Sequence, residues 1–218
     1  MRTLIVTGGA IQDAFALDYL RQEEFSLKIA VDHGADFFYR NKICPDYVVG
    51  DFDSASERAI TAFSQMDGVT VLSYPSEKNE TDTEIGIGIA IEKKSTEVVI
   101  LGATGTRMDH VLGNIHLLGR FMKEKIKACL VDEFNRIQMV DQPVILNRSS
   151  QFGDYVSILA FSPEVKEITL TGFKYPLSKY NLSCFLPIGI SNEIMEETAE
   201  IYFTEGILLV TESKDSCV

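Results

Sequence analysis

The chain has 218 residues, 45% of them hydrophobic, and its 20 Lys and Arg against 32 Asp and Glu leave a net charge of −12. That length holds two domains with a substantial core, and the acidic balance opposes nonspecific binding to nucleic acid or to an anionic membrane surface. No run approaches the ~18 apolar residues of a membrane span, and Met1–Val6 lacks the longer apolar stretch and cleavage site of a signal peptide, so a cytoplasmic protein is expected. Cys44, Cys129, Cys184 and Cys217 are widely spaced, without a C-x-x-C pair. They signal neither a zinc site nor a disulfide framework, and reduced thiols fit best.

Up to about residue 132, short β-branched runs alternate with helical patterns. Strands are predicted near Leu4–Thr7, Lys28–Val31, Tyr47–Val49, Thr70–Leu72, Glu97–Leu101 and Ala128–Val131, and helices near Asp13–Arg21, Ser56–Ser64, Asp82–Lys93 and Asp109–Lys123. This alternation argues for a parallel, doubly wound α/β sheet. Beyond Asp132 strands follow one another closely, at Val144–Asn147, Tyr155–Phe161, Ile168–Leu170, Ala199–Phe203 and Ile207–Thr211, punctuated by glycine and proline. They suggest a smaller all-β sandwich or barrel. The division predicted is an α/β domain over 1–135 and a β domain over 136–218, with the boundary region near 133–142.

Open α/β sheets bind ligands at the carboxyl ends of their strands. Thr7-Gly8-Gly9-Ala10 follows the first strand there and offers backbone to a phosphate. Asp32-His33-Gly34-Ala35-Asp36 follows the second, as a carboxylate at the edge or as a turn and helix cap. Gly50-Asp51-Phe52-Asp53-Ser54 follows the third and brings two aspartates out together. Gathered carboxylates repel one another and raise each other's pKa unless a cation sits among them, and Mg²⁺ is a hard cation that takes oxygen ligands. A magnesium-dependent site is therefore expected.

Lys78, in a polar loop, is either a phosphate partner or a solvated lysine. Thr81-x-x-Glu84 reads as a capping box that holds Asp82 in a first helical turn, beside the positive end of the helix dipole. Gly102–Arg107 follows the fifth strand as a glycine loop bearing an arginine, which suits a polyphosphate. In the helix it opens, Asp109 and Asn114 are expected to face the strand ends while Val111, Leu112, Ile115 and Leu118 pack inward. His110 is either a general base or a packing residue, and His33 and His116 are read as packing or hydrogen-bonding residues. Neither a G-x-x-x-x-G-K-[ST] loop nor a G-x-G-x-x-G turn is present, so a nucleotide needs another arrangement.

Together these segments resemble the bacterial type of thiamin pyrophosphokinase, or thiamin diphosphokinase. The resemblance rests on Asp32-His33-Gly34-Ala35, on Pro45-Asp46-x-x-x-Gly50-Asp51-Phe52-Asp53-Ser54, on Lys78-x-x-Thr81-Asp82-x-Glu84, on Gly102-Ala103-Thr104-Gly105-x-Arg107-x-Asp109-His110-x-x-x-Asn114 and on Ser191-Asn192-Glu193. It implies a domain that binds ATP and Mg²⁺, a thiamin-binding β domain, and a homodimer whose active sites draw on both subunits. Asp51, Asp53 and Asp82 then correspond to metal ligands. Asp32, His33, Lys78, Thr81, Arg107, Asp109, His110 and Asn114 fall at the nucleotide and substrate site, and Ser191 and Asn192 in the thiamin pocket.

The implied reaction moves pyrophosphate from ATP to the hydroxyl of thiamin, giving thiamin diphosphate and AMP. Arg107 takes up charge, and Asp82 or Asp109 accepts the hydroxyl proton. Two departures stand out: His33 replaces the first glycine of a D-G-G-A pattern, and there is no Trp. Phe173, Tyr175, Tyr180 or Phe185 is left to face the thiamin ring. Three other functions remain open: pyrophosphorylation of another hydroxymethyl heterocycle such as a pterin, phosphatase chemistry of the haloacid-dehalogenase type with Asp51 as nucleophile, and a non-catalytic nucleotide-sensing module.

Overall fold

The computed structural model describes residues 1–53, 55–75, 77 and 79–216. Lys78, named above, lies outside the described residues, as do Ser54 and Cys217. The chain forms two compact units, Met1–Glu133 and Phe134–Val218. Among the described residues no helix is long and apolar enough to cross a membrane.

The first unit is built on parallel strands β1 (Arg2–Val6), β2 (Leu27–Val31), β3 (Tyr47–Gly50), β4 (Thr70–Ser73), β5 (Glu97–Leu101) and β6 (Lys127–Val131). Their order is β4-β3-β2-β1-β5-β6. β1, β2, β3 and β5 bury nearly every residue, the continuous apolar run expected where helices cover both faces. Between the strands lie α1 (Asp13–Gln22), α2 (Gly34–Arg40), α3 (Glu57–Ser64), α4 (Asp82–Glu92) and α5 (Met108–Lys123).

The strand order reverses at β1, and right-handed crossovers then put α1–α3 on one face and α4 and α5 on the other. Accordingly α2 packs on α3, and α4 packs on α5. The reversal leaves β1 and β5 side by side, although Arg2 and Glu97 are far apart in sequence. A crevice opens where their connections leave in opposite directions.

The second unit is antiparallel, with β7 (Asn135–Val140), β8 (Val144–Asn147), β9 (Tyr155–Ala160), β10 (Glu164–Thr171), β11 (Leu177–Ser183), β12 (Thr198–Tyr202) and β13 (Leu208–Ser213). β13 pairs with both β7 and β9, and a four-stranded sheet runs β11-β10-β12-β8. Val156, Ile158, Leu208 and Val210 meet Val165, Ile168, Leu182 and Ile201 in one core. Glu212 is buried there at 1% exposure. Arg136 donates to both of its oxygens, at 2.8 and 2.7 Å, as a buried carboxylate requires.

The sequence predicts neither one α-helix nor two of the strands. Helix α2 has only seven residues and two adjacent buried phenylalanines, too few for a helical period to emerge. β7 and β11 are rich in polar residues. β11 pairs only with β10 among the described strands, and an edge strand does not need a two-sided apolar run.

Helices α2, α4 and α5 end alike. Lys42, Lys94 and Lys125 have φ of 55°, 59° and 57°. Each donates three residues back, and the next residue donates five back, as Lys94 to Ile91 at 2.9 Å and Ser95 to Ala90 at 3.1 Å. This is the Schellman ending, in which glycine is the usual left-handed residue. A lysine there gives up about 1 kcal/mol. Lys94→Gly is therefore expected to stabilise the first unit by roughly 0.5–1 kcal/mol, read as a higher urea midpoint; an unchanged or lower midpoint would contradict the strain argument.

Candidate functional site

The β1 and β5 connections are fastened directly to each other. Thr7 Oγ1 donates to Gly102 O at 2.6 Å. The N–H groups of Gly9 and Ala10 donate to Gly102 O and Thr104 O at 2.8 and 2.7 Å. Position 9 must be glycine because a Cβ there would lie 2.3 Å from both carbonyl oxygens. The Gly9 and Ala10 amides therefore hold the opposite loop, while Thr7–Ala10 as a segment still lines the floor of a site.

Above this floor is a cleft of about 620 Å³, lined by Thr7–Ala10, Asp32, His33, Thr83, Gly102–Arg107, His110, Val111 and Asn114. Asp32 enters it through a left-handed turn, with φ of 48°, set by its N–H donating to Val49 O and its carbonyl accepting from Ala35 N, both at 2.9 Å. The turn lays its carboxylate across Gly50, where a Cβ would lie 2.1 Å from Asp32 Oδ1. Only glycine gives that approach.

At the next residue β3 delivers Asp51, and the first turn of α4 delivers Asp82. One carboxylate oxygen from each of Asp32, Asp51 and Asp82 lies within 4.8 Å of the others, all three side chains half-buried. Asp53 is exposed and outside this trio; its N–H donates to Asp51 Oδ1 at 3.1 Å. Between them Phe52 has φ of 60°, a second left-handed residue at the site.

Thr81 caps α4, its Oγ1 accepting from Glu84 N at 3.2 Å. Glu84 completes no reciprocal box but accepts from Arg120 Nη1 at 2.9 Å. Asp36, in the first turn of α2, accepts from the Ser56 hydroxyl and, at 3.3 Å to each oxygen, from Ser56 N, and lies 3.1 Å from His33 Nδ1. Burial pushes the Asp36 carboxyl up, but these hydrogen bonds together hold it below the usual range. His33 takes an ordinary right-handed helical conformation, with φ of −54° and ψ of −17°, so a histidine stands there without backbone cost.

In α5, Asn114 Nδ2 donates to Ala103 O at 2.8 Å and ties the helix to the β5 loop. Arg107 and Asp109 pair at 2.5 Å on the exposed rim, and His110 N donates to Asp109 at 3.0 Å. The Arg107 hydrogen bond holds Asp109 below its ordinary pKa, and Asp109 holds Arg107 above its own. The expectation for Leu112 is overturned: it is 53% exposed. Two residues subtend about 200° on a helix, so fastening Asn114 to the sheet turns Leu112 to solvent.

In the second unit Asn192 is buried, and its side chain clamps the Tyr175 backbone. Its Oδ1 accepts from Tyr175 N at 3.0 Å, and its Nδ2 donates to Tyr175 O at 2.8 Å. Ser191 has φ of 55° and donates its N–H to Ser157 Oγ at 3.0 Å. Asn192 and Tyr175 line a cavity of about 270 Å³ with Leu170, Leu177, Ile188, Gly189 and Ile190. Of the four aromatics named above, Phe173 is buried in the core, Tyr180 packs against it and Phe185 is 88% exposed. Tyr175 is the one on the cavity.

Residues 20–130 match the profile "Thiamin pyrophosphokinase, catalytic domain", and residues 143–208 match "Thiamin pyrophosphokinase, vitamin B1 binding domain". The chain belongs to the thiamin pyrophosphokinase family. A thiamine pyrophosphokinase of Bacillus subtilis (strain 168) is 35% identical over 193 residues, covering 88% of this chain and 90% of its own. The crystal structure of thiamine pyrophosphokinase from Bacillus subtilis superposes with a TM-score of 0.88 at 33% identity, covering 99% and 100% of the two chains. That of Geobacillus thermodenitrificans gives 0.84 at 31%, covering 100% and 99%.

The chain is accordingly an enzyme of thiamin pyrophosphorylation, with thiamin and ATP as substrates. The matches favour neither the pterin nor the phosphatase alternative.

Because Arg107 depresses the Asp109 pKa, their attraction is fully present above the ordinary carboxylate range and is lost as pH falls through the lower, folded-state value. NMR titration of the Asp109 carboxyl should give a midpoint below ~3.9 in the wild type and a higher one in Arg107→Ala. Equal midpoints would mean the pair does not persist in solution.

Proposed function

We propose that Asp32, Asp51 and Asp82 hold the Mg²⁺ that accompanies ATP, with Asp53 as a further donor on the same loop. The supporting observation is the half-buried trio of carboxylate oxygens beside the cleft. An all-oxygen, anionic donor set suits a hard divalent cation, and two ligands on opposite sides of Mg²⁺ are about 4.2 Å apart, compatible with the observed 4.8 Å limit. Bound there, the cation supplies charge neutralisation for the phosphate oxygens.

The chain's own groups do the rest by position and charge. The fastened β1 and β5 loops shape the floor on which the nucleotide lies. Arg107 meets the phosphates from the rim, and Asp109 holds it there until an anion competes for the guanidinium. His33, Thr81, His110 and Asn114 border the nucleotide, with Asn114 fixing the loop that carries Arg107. Asp82 or Asp109 would accept the thiamin hydroxyl proton.

In the second unit, Ser191 and Asn192 set the wall of the thiamin pocket, and Tyr175, clamped by Asn192, supplies the aromatic face that a Trp would otherwise give. We further assign a homodimer with active sites shared between subunits. Phe185, Leu186, Ile188 and Ile190 are each at least half exposed, an apolar stretch of the kind that marks interfaces. Work in the cytoplasm fits the exposed thiols of Cys44 and Cys184.

Incubation of protein, thiamin and MgATP should give thiamin diphosphate and AMP in equal amounts by mass spectrometry, while ADP with thiamin monophosphate would refute pyrophosphoryl transfer. Tyr175→Ala should raise the KM for thiamin about tenfold or more while leaving that for ATP within a factor of two, since a lost aromatic contact is worth ~1–3 kcal/mol; an unchanged thiamin KM removes Tyr175 from the pocket.

Shared sites have a separate test. Mixing Asp51→Asn with Asn192→Ala, each nearly inactive alone, should restore activity, because one site in each mixed dimer carries neither lesion. No recovery after demonstrated subunit exchange would place each site within one chain.

A further inference from the structure

Asp36 has no part in the function assigned above, yet it bonds to both segments that deliver the first two carboxylates. One of its contacts is His33, the residue after Asp32. The others are the Ser56 hydroxyl and amide, where the loop that begins at Asp51 ends. Ser56 is in turn the cap of α3, its Oγ accepting from Ala59 N at 3.3 Å. At its entry the same loop is fixed by the pairing of β3 with β2 and β4.

Gly50 and Ser56 thus anchor the two ends of one connection, Gly50 to the neighbouring strand and Ser56 to Asp36. Released at its exit, it would let repulsion between Asp32 and Asp51 drive the two carboxylates apart.

We propose that Asp36 is a positioning residue for the cation site: by fastening Ser56 to the Asp32 turn, it adds to the β2–β3 register in fixing the separation of Asp32 and Asp51. The inference rests on the metal assignment made above. It predicts a defect in metal affinity that excess metal repairs, because a bound cation supplies the attraction that the lost tie no longer provides. A residue that served stability alone would lower the melting temperature and leave the metal midpoint unchanged.

The test is Mn²⁺ binding to the metal-free full-length protein by electron paramagnetic resonance, with the Mg²⁺ dependence of thiamin pyrophosphorylation measured in parallel. Asp36→Ala should weaken Mn²⁺ about tenfold, equivalent to about 1.4 kcal/mol, and raise the Mg²⁺ midpoint similarly, with kcat at saturating Mg²⁺ within about threefold of wild type. Asp36→Asn keeps an oxygen that accepts from Ser56 and should stay within about threefold in both. Ser56→Ala should fall between Asp36→Asn and Asp36→Ala.

Wild-type affinity in Asp36→Ala, alongside lost affinity in Asp51→Asn, would overturn the role of Asp36 and leave the metal site standing. Wild-type affinity in Asp51→Asn would overturn the metal site itself, and this inference with it. If Asp36→Ala does not fold, Ser56→Ala carries the test, and an unaltered Mn²⁺ affinity there overturns the proposal.

Discussion

The close approach of Asp32, Asp51 and Asp82 is the constraint around which the site of the first unit is arranged. Their carboxylate oxygens approach within 4.8 Å and are half-buried, where like charges are costly. Such proximity does not arise by default; it is held by the rigid sheet edge. β2 and β3 run in parallel register, with Val31 opposite Val49. Asp32 is bonded through its backbone to Val49, and its side chain lies over Gly50, whose missing Cβ leaves the space. The sheet's buried strands thus supply the rigidity that keeps like charges together, and a cation would turn that opposition into binding energy.

Backbone strain is distributed in the same sense. Asp32, Phe52 and Ser191 are non-glycine residues with positive φ, and each lies in one of the segments that carry the family resemblance. The left-handed region costs such residues on the order of 1–2 kcal/mol, so their turns persist because surrounding hydrogen bonds over-determine them. At Asp32 these are the bonds to Val49 and Ala35. At Ser191 one is the bond to Ser157. Lys42, Lys94 and Lys125 show the same conformation at helix ends, where the reason is helix termination rather than a site.

In the second unit the residue that organises the cavity acts through backbone. Asn192 satisfies both the N–H and the carbonyl of Tyr175, much as a neighbouring strand would, and also pairs through its own backbone with Val156. A buried amide with both ends committed is well suited to fixing a wall and poorly suited to contacting a ligand through that side chain. Its place in a recognition motif is thus explained by what it does for Tyr175 and for the turn at Ser191.

The sequence by itself determined the succession of strands and, α2 apart, of helices in the first unit, since apolar runs and helical periods are local properties of the chain. It also determined that Asp32, Asp51 and Asp53 follow strands, and that Thr81 starts a helix with Asp82 in its first turn. Tertiary structure decided which of these residues meet: Asp32, rather than Asp53, stands with Asp51 and Asp82, because that depends on a left-handed turn and on parallel register. It likewise turned Leu112 outward by fastening Asn114 to Ala103, and gave Gly9 and Asn192 partners in distant loops. Periodicity records how much of an element is buried; the distance between side chains on different elements is set only when strand order and register bring them together.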